Sequence, residues 1–227
     1  MEGEREGENT SPMRLTIIPV AHVSKKSAEL VHKTILEENP EVVGLELCRE
    51  RLASLSARER RGMDIRTAIS HPTSAFLYLA QQALGKFWRI TPGSEMVAAL
   101  RAAALSNKPV LLLDRPIRLT ARELEKIPLG EKLGMLFWDI PLGRKKGVKL
   151  EHLMDPAALR PLLSSMKEKF PKSYEVFVES RNRYMLAMLL KRNPQSAVIV
   201  VGAAHSEGIK ELAEQSGAKM EITIKRY

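Results

Sequence analysis

Near its N-terminus the chain has two apolar segments typical of strands, separated by a segment typical of a helix. This order constrains the fold more than any other feature of the sequence. Residues 14–21 and 41–47 are apolar and rich in β-branched side chains, which is typical of strands. Between them, residues 25–39 carry apolar side chains at helical spacing, and Asn39-Pro40 ends the helix. The unit takes about 34 residues, which is the length of a crossover between two parallel strands. The sequence therefore predicts a β-α-β unit.

Later segments extend this unit into a larger sheet. Residues 110–114 form a short apolar run, which predicts an interior parallel strand covered on both faces. Further strands are predicted over 196–201 and 220–226. Helical spacing predicts helices over 49–61, 74–87, 95–106, 119–137, 155–169, 171–191 and 206–215. We therefore expect an α/β fold, with a central, largely parallel or mixed β-sheet flanked by helices and a helical insertion between 49 and 106.

The composition predicts one domain in a reducing compartment. The 227 residues suit a single domain over 13–227 after an acidic tail, 1–12, that is expected to be disordered. With 44% hydrophobic and 28% charged residues, collagen-like, fully disordered and membrane-embedded classes are excluded. The longest apolar run, near 197–204, is far shorter than the roughly 20 residues of a membrane span. The single thiol, Cys48, and the absence of a signal-peptide pattern predict a cytoplasmic location.

The formal net charge of +9 raises the question of an anionic partner. Basic clusters lie at 58–66 and 144–149, and their simplest interpretation is a solvated surface. The sequence has no helix-turn-helix, RRM or zinc-finger pattern, so a nucleic-acid partner is not expected.

Chemically active side chains follow the predicted strands. His22, Glu46, Asp114 and His205 come at or just beyond the ends of four of them. The carboxyl ends of parallel strands meet at one edge of the sheet, which is where α/β proteins bind ligands. Imidazole and carboxylate groups ligate zinc, manganese, iron or cobalt, and an open coordination position activates water. A histidine at a strand end is also a common hydrogen-bonding strut, and the spacing leaves both interpretations open.

Six short segments, taken in order, resemble the TraB (pheromone shutdown) family, which is related to the Tiki metalloproteases and to haem-uptake and erythromycin-esterase-like proteins. They read HVS at 22–24, VGLELCR at 43–49, GSEM at 93–96, LDRPI at 113–117, RNRYM at 181–185 and VGAAH at 201–205. The resemblance runs from about residue 14 to residue 208. The set in order is specific to the family, whereas no single segment is.

The resemblance implies a divalent-metal-dependent hydrolase, peptidase-like, that acts on small peptides. The family pattern has two GxxH motifs and a glutamate on the second strand. Gly202 and His205 match the second motif, Glu46 matches the glutamate, and His22 matches the first motif, in which Pro19 replaces the glycine. The three matched side chains are the implied catalytic residues and ligands of a manganese, cobalt or zinc ion, with Glu46 as ligand or general base. Residues implied to support the ligands or bind substrate are Arg49, Glu95, Asp114, Arg115 and Arg181.

Three positions depart from the family pattern. Besides Pro19, Ser180 and Asn182 stand on either side of Arg181 where family members tend to carry acids. These departures favour an alternative, a catalytically weak domain that captures a peptide or an anion without hydrolysing it. Association with further copies of the chain stays open.

Overall fold

Five parallel strands form the sheet in the computed structural model, which describes residues 11–20, 25–61, 94–138 and 156–226. The strands lie in the order β3-β2-β4-β1-β5. Their bounds are β1 Met13–Val20, β2 Val42–Leu45, β3 Val110–Leu112, β4 Ser196–Gly202 and β5 Met220–Ile224. This confirms the predicted α/β fold, and every strand pair is parallel.

Helices cover both faces of the sheet, which explains why the central strands are apolar on both sides. They are α1 Lys25–Glu38, α2 Arg49–Arg61, α3 Ser94–Leu105, α4 Ile117–Glu125, α5 Leu129–Phe137, α6 Pro156–Lys169, α7 Pro171–Tyr174, α8 Ser180–Arg192 and α9 Ala203–Gln215. Helices α1 and α3 pack on one face, around Val31 and Ala99. On the other face, Met185 and Leu189 of α8 and Ile209 of α9 pack against the strands.

The interior position predicted for the strand at 110–114 is wrong. Strand β3 lies at the edge of the sheet and pairs only with β2 among the described strands, and Val110 is 36% exposed. The apolar run is buried chiefly at its end, where Leu113 and Asp114 follow the strand. Leu113 packs with the cluster around α8. The run is apolar because its last residues are covered by helices, and not because strands flank it on both sides.

Two predicted helices are divided. The segment 119–137 forms α4 and α5, separated at Pro128, which lacks an N–H to continue the hydrogen-bond ladder. The segment 171–191 is interrupted by a π-helical segment, Glu175–Glu179, directly before α8. A left-handed Asn193, with φ of 47°, ends α8 at the Asn-Pro signal of the sequence.

The helix predicted over 206–215 begins three residues earlier. Strand β4 ends at Gly202 and α9 starts at Ala203, so His205 lies in the first turn of the helix. The predictions for the tail up to residue 10, for the helix at 74–87 and for the basic cluster at 144–149 lie outside the described residues. The single-domain boundary therefore stays a prediction.

Candidate functional site

Four charged or polar side chains meet at the carboxyl edge of the sheet. Glu46 directly follows β2, Asp114 lies two residues beyond β3, and His205 lies three residues beyond β4. Arg181 reaches them from the first turn of α8. We call Glu46, Asp114, Arg181 and His205 the Arg181 cluster. Asp114, Arg181 and His205 are buried, and the side chain of Glu46 is 11% exposed.

Arg181 contacts all three other members of the cluster. Its Nε–H and an Nη2–H donate to the two carboxylate oxygens of Asp114, each at 3.0 Å, in a bidentate pair. The second Nη2–H donates to Oε1 of Glu46. The Nη1 group lies 3.0 Å from Nε2 of His205 and donates to the Phe177 carbonyl at 3.5 Å. These contacts engage all five N–H donors of a guanidinium group.

Glu46 is held by the strand beside it as well as by Arg181. Its Oε2 accepts the backbone N–H of Gly202 at 2.5 Å, and its Oε1 lies 3.4 Å from Nε2 of His205. Glycine at position 202 permits this approach, because a Cβ atom there would lie 3.1 Å from Oε2. Burial raises the pKa of Glu46, but His205, Arg181 and the Gly202 N–H outweigh it and hold that pKa well below its usual range. Glu46 is therefore a carboxylate near neutral pH.

Asn182 orients the imidazole of His205. Its Oδ1 lies 2.7 Å from Nδ1 of His205, and both side chains are buried. An amide oxygen only accepts, so the proton is assigned to Nδ1, and Nε2 faces the N–H of Arg181 as an acceptor. Gly208 makes room for the amide, because a Cβ atom at that position would lie 2.3 Å from Nδ2 of Asn182. The ring is thus fixed from both sides.

A second arginine completes the charge balance around Asp114. Arg51 of α2 donates a hydrogen bond of 2.7 Å to Oδ2 of Asp114. The side chain of Arg51 is 36% exposed. The backbone N–H of Arg115 donates to Oδ1 at 2.9 Å. Two carboxylates, Glu46 and Asp114, are therefore matched by two guanidinium groups. Burial lowers the pKa of Arg181, but Glu46 and Asp114 more than compensate and raise it.

Arg115 supports the cluster from behind. Its side chain donates to Thr120 Oγ1 at 3.0 Å, to Ser180 Oγ at 2.8 Å and to the Val176 carbonyl at 2.6 Å. Val176 belongs to the π-helical segment, and Ser180 directly precedes Arg181. Arg115 therefore anchors the irregular turn that places Arg181 in the cluster.

The structure separates the remaining predicted site residues. Arg49 is exposed at the start of α2, and Glu95 is buried at the start of α3, where its carboxylate accepts a hydrogen bond from Ser27 at 2.7 Å. His22 lies outside the described residues. Burial raises the pKa of the Cys48 thiol, which makes it a poor nucleophile.

Two contacting residues were missed from the sequence. Arg51 lies four residues before the buried Leu55, which places both on one face of α2. This spacing was the available sequence signal that Arg51 faces the interior of the protein. Asn182 was considered only as the replacement of an acid, and its contact with His205 had no signal beyond its position next to Arg181.

The described residues do not fit a divalent metal in this arrangement. The two donor atoms that would face the ion, Oε1 of Glu46 and Nε2 of His205, face the guanidinium of Arg181 instead. Within the described ranges, no group of three or more His, Cys, Asp or Glu residues could hold a metal ion. His22, the third ligand implied by the resemblance, lies outside those ranges, so the metal site stays a prediction.

The fold and the cluster define an α/β protein with a buried ionic site at the carboxyl edge of its sheet. The family model described as TraB/PrgY/gumN family matches residues 143–222, which include Arg181, Asn182 and His205. An uncharacterized protein of Methanocaldococcus jannaschii, MJ1365, is 34% identical over 205 residues, which cover 85% of this chain and 51% of that protein. TraB domain-containing proteins of Bos taurus and Homo sapiens are 26% and 25% identical over 244 residues, covering 87% of this chain and 62% of each relative.

The chain belongs to the TraB family. This confirms the resemblance found in its sequence. The chain spans between about half and three-fifths of the length of the curated relatives it matches. A search of the described helices finds none that combines the length and the apolar character of a membrane span.

Removal of the shared guanidinium is expected to destabilise the fold strongly. Arg181→Met leaves Glu46 without its guanidinium partner and Asp114 with Arg51 alone, and breaking this buried ionic network costs about 3–5 kcal/mol of unfolding free energy. The measurement is denaturant unfolding at pH 7. Arg183→Met is the matched control, because Arg183 lies in the same helix with a side chain that is 52% exposed, and surface ion pairs contribute about 0–1 kcal/mol. Equal losses in the two variants would contradict the importance of the cluster.

The lowered pKa of Glu46 predicts a pH dependence of stability. A carboxyl group whose folded pKa is depressed stabilises the protein above its unfolded pKa of about 4.3, and this stability is lost as the pH falls through the folded pKa. The unfolding free energy of the wild type should therefore fall below about pH 4. In Glu46→Gln this decline should be shallower, whereas Glu37→Gln, which changes an exposed carboxylate, should keep the wild-type slope. Identical slopes in all three proteins would refute the prediction.

Proposed function

We propose that this chain is a hydrolase that acts on small peptides at the Arg181 cluster. The observation that carries the proposal is the convergence of Glu46 and His205 to 3.4 Å at the carboxyl edge of a parallel sheet. Ligands of open α/β sheets bind at this edge, and clusters of ionisable groups with perturbed pKa values are common at functional sites. Peptides are proposed as the substrate class because the TraB family, which the chain resembles, is related to the Tiki metalloproteases.

The contacts of each side chain support a distinct role. Nε2 of His205 accepts the proton of the attacking water once that water displaces the N–H of Arg181 from it, because Asn182 fixes the opposite ring nitrogen as the donor. Glu46 stabilises the positive charge that forms on the ring, because its lowered pKa keeps it a carboxylate. Arg181 positions both groups, since its N–H donors are already engaged by the cluster. Arg51, partly exposed, is the guanidinium of the site best placed to meet a substrate carboxylate.

The second candidate is a binding domain that captures a peptide or an anion without hydrolysing it. It is favoured by the contact between the Arg181 guanidinium and both Glu46 Oε1 and His205 Nε2, which engages the atoms that catalysis would use. In that case the guanidinium of Arg51 binds the ligand, and the Arg181 cluster holds Arg51 in place through Asp114.

Incubation of the full chain with a peptide library, read by mass spectrometry, separates the two functions. The hydrolase proposal predicts cleavage by the wild type and a loss of about 10²–10⁴-fold in rate for His205→Ala, as for removal of a general base. Glu46→Gln should also be slow, whereas His32→Ala, a change in α1, should cleave at the wild-type rate. The library is tested with manganese, cobalt, zinc and a chelator. Peptide binding without cleavage in every condition would overturn the hydrolase proposal and support the binding domain.

A further inference from the structure

The charge of the Arg181 cluster, counted together with Arg51, is already balanced without an added ion. Two carboxylates, Glu46 and Asp114, are paired with two guanidinium groups, Arg51 and Arg181. A divalent cation placed among these groups would add two positive charges next to the buried Arg181. Such a charge inside a protein is costly unless anionic partners compensate it.

The guanidinium also makes the contacts that a cation would make. It meets one carboxylate oxygen of Glu46, both carboxylate oxygens of Asp114 and one ring nitrogen of His205. A catalytic zinc ion is held by three protein ligands of these same types. Three side chains therefore converge on one cation, and that cation is covalently part of the chain.

We infer that Arg181 occupies the cation position of this site, so that the cluster takes no divalent metal while the guanidinium is in place. The inference rests on the proposed function in taking the cluster as the site, but it concerns the charge present there and not the reaction. Replacing Arg181 with an uncharged side chain leaves Glu46, Asp114 and His205 around the vacated space. They do not form a metal-holding group as they stand, so they must move closer together to ligate an ion. Such a variant should then accept a metal ion in place of the guanidinium.

Metal content and thermal stability of the full chain test this directly. The wild type is dialysed against manganese, cobalt and zinc, freed of loosely bound ions and analysed for metals. It should retain much less than one equivalent, and a chelator should leave its melting temperature unchanged. Arg181→Met should retain about one equivalent of one of these ions and melt at a higher temperature when that ion is added, as expected for a ligand that binds only the folded state.

The controls separate the site from general metal binding. Arg183→Met should behave like the wild type, and the double variant Arg181→Met, His205→Ala should lose the metal gained by the single variant. A wild type that holds one equivalent of metal, or that melts earlier after chelation, would overturn the inference. A folded Arg181→Met protein that binds no more metal than Arg183→Met would also overturn it. If Arg181→Met does not fold, the wild-type measurements alone decide.

These readouts do not involve hydrolysis, so the inference and the proposed function can fail separately. Cleavage that is lost on chelation, from a protein that carries metal, would uphold the hydrolase and overturn the inference. An absence of cleavage by a metal-free wild type would overturn the hydrolase and leave the inference standing.

Discussion

The sharing of one buried guanidinium by two carboxylates is the interaction on which the carboxyl edge of this sheet depends. Glu46 and Asp114 follow neighbouring parallel strands, which brings their like charges to the same edge. Without a cation between them, one would have to be protonated or exposed to water. Arg181 removes that conflict, and its bidentate geometry with Asp114 fixes its direction. The orientation of His205 follows, because the same guanidinium meets its ring.

An irregular backbone segment places Arg181 at the carboxyl edge of the sheet, between Glu46 and Asp114. The π-helical segment before α8 is tied to the sheet by Arg115, which bonds to both Val176 and Ser180. Such segments are frequent at functional sites, because the extra residue in one turn redirects the side chains that follow. Small residues complete the arrangement, since Gly202 and Gly208 leave room for Glu46 and Asn182.

Much of the fold was predictable because strand and helix periodicity is a local property of the sequence. Glu46, Asp114 and His205 were also found locally, since each follows an apolar strand. Arg181 was predicted as a site residue only from the family resemblance. The local sequence does not indicate that an arginine in a helix is buried. The break of 171–191 by a π-helical segment was missed because it coincides with contacts from Arg115, some sixty residues away in sequence.

The departures from the family pattern have physical counterparts in the structure. Ser180 accepts a hydrogen bond from Arg115, and Asn182 accepts one from His205, so both replacements are integrated into the site. An amide beside His205 provides an acceptor without adding a third negative charge to the balanced cluster. This is consistent with either hydrolysis or binding at the same edge of the sheet.

A double-mutant cycle between Arg181→Met and Asp114→Asn tests most directly whether the cluster acts as one unit. Residues in one ionic network show coupling energies of about 0.5–3 kcal/mol, whereas independent sites are additive within about 0.5 kcal/mol. The unfolding free energies of the four proteins should give a coupling above about 1 kcal/mol, because each variant removes the partner of the other. Additive effects would contradict the central role assigned to the shared guanidinium.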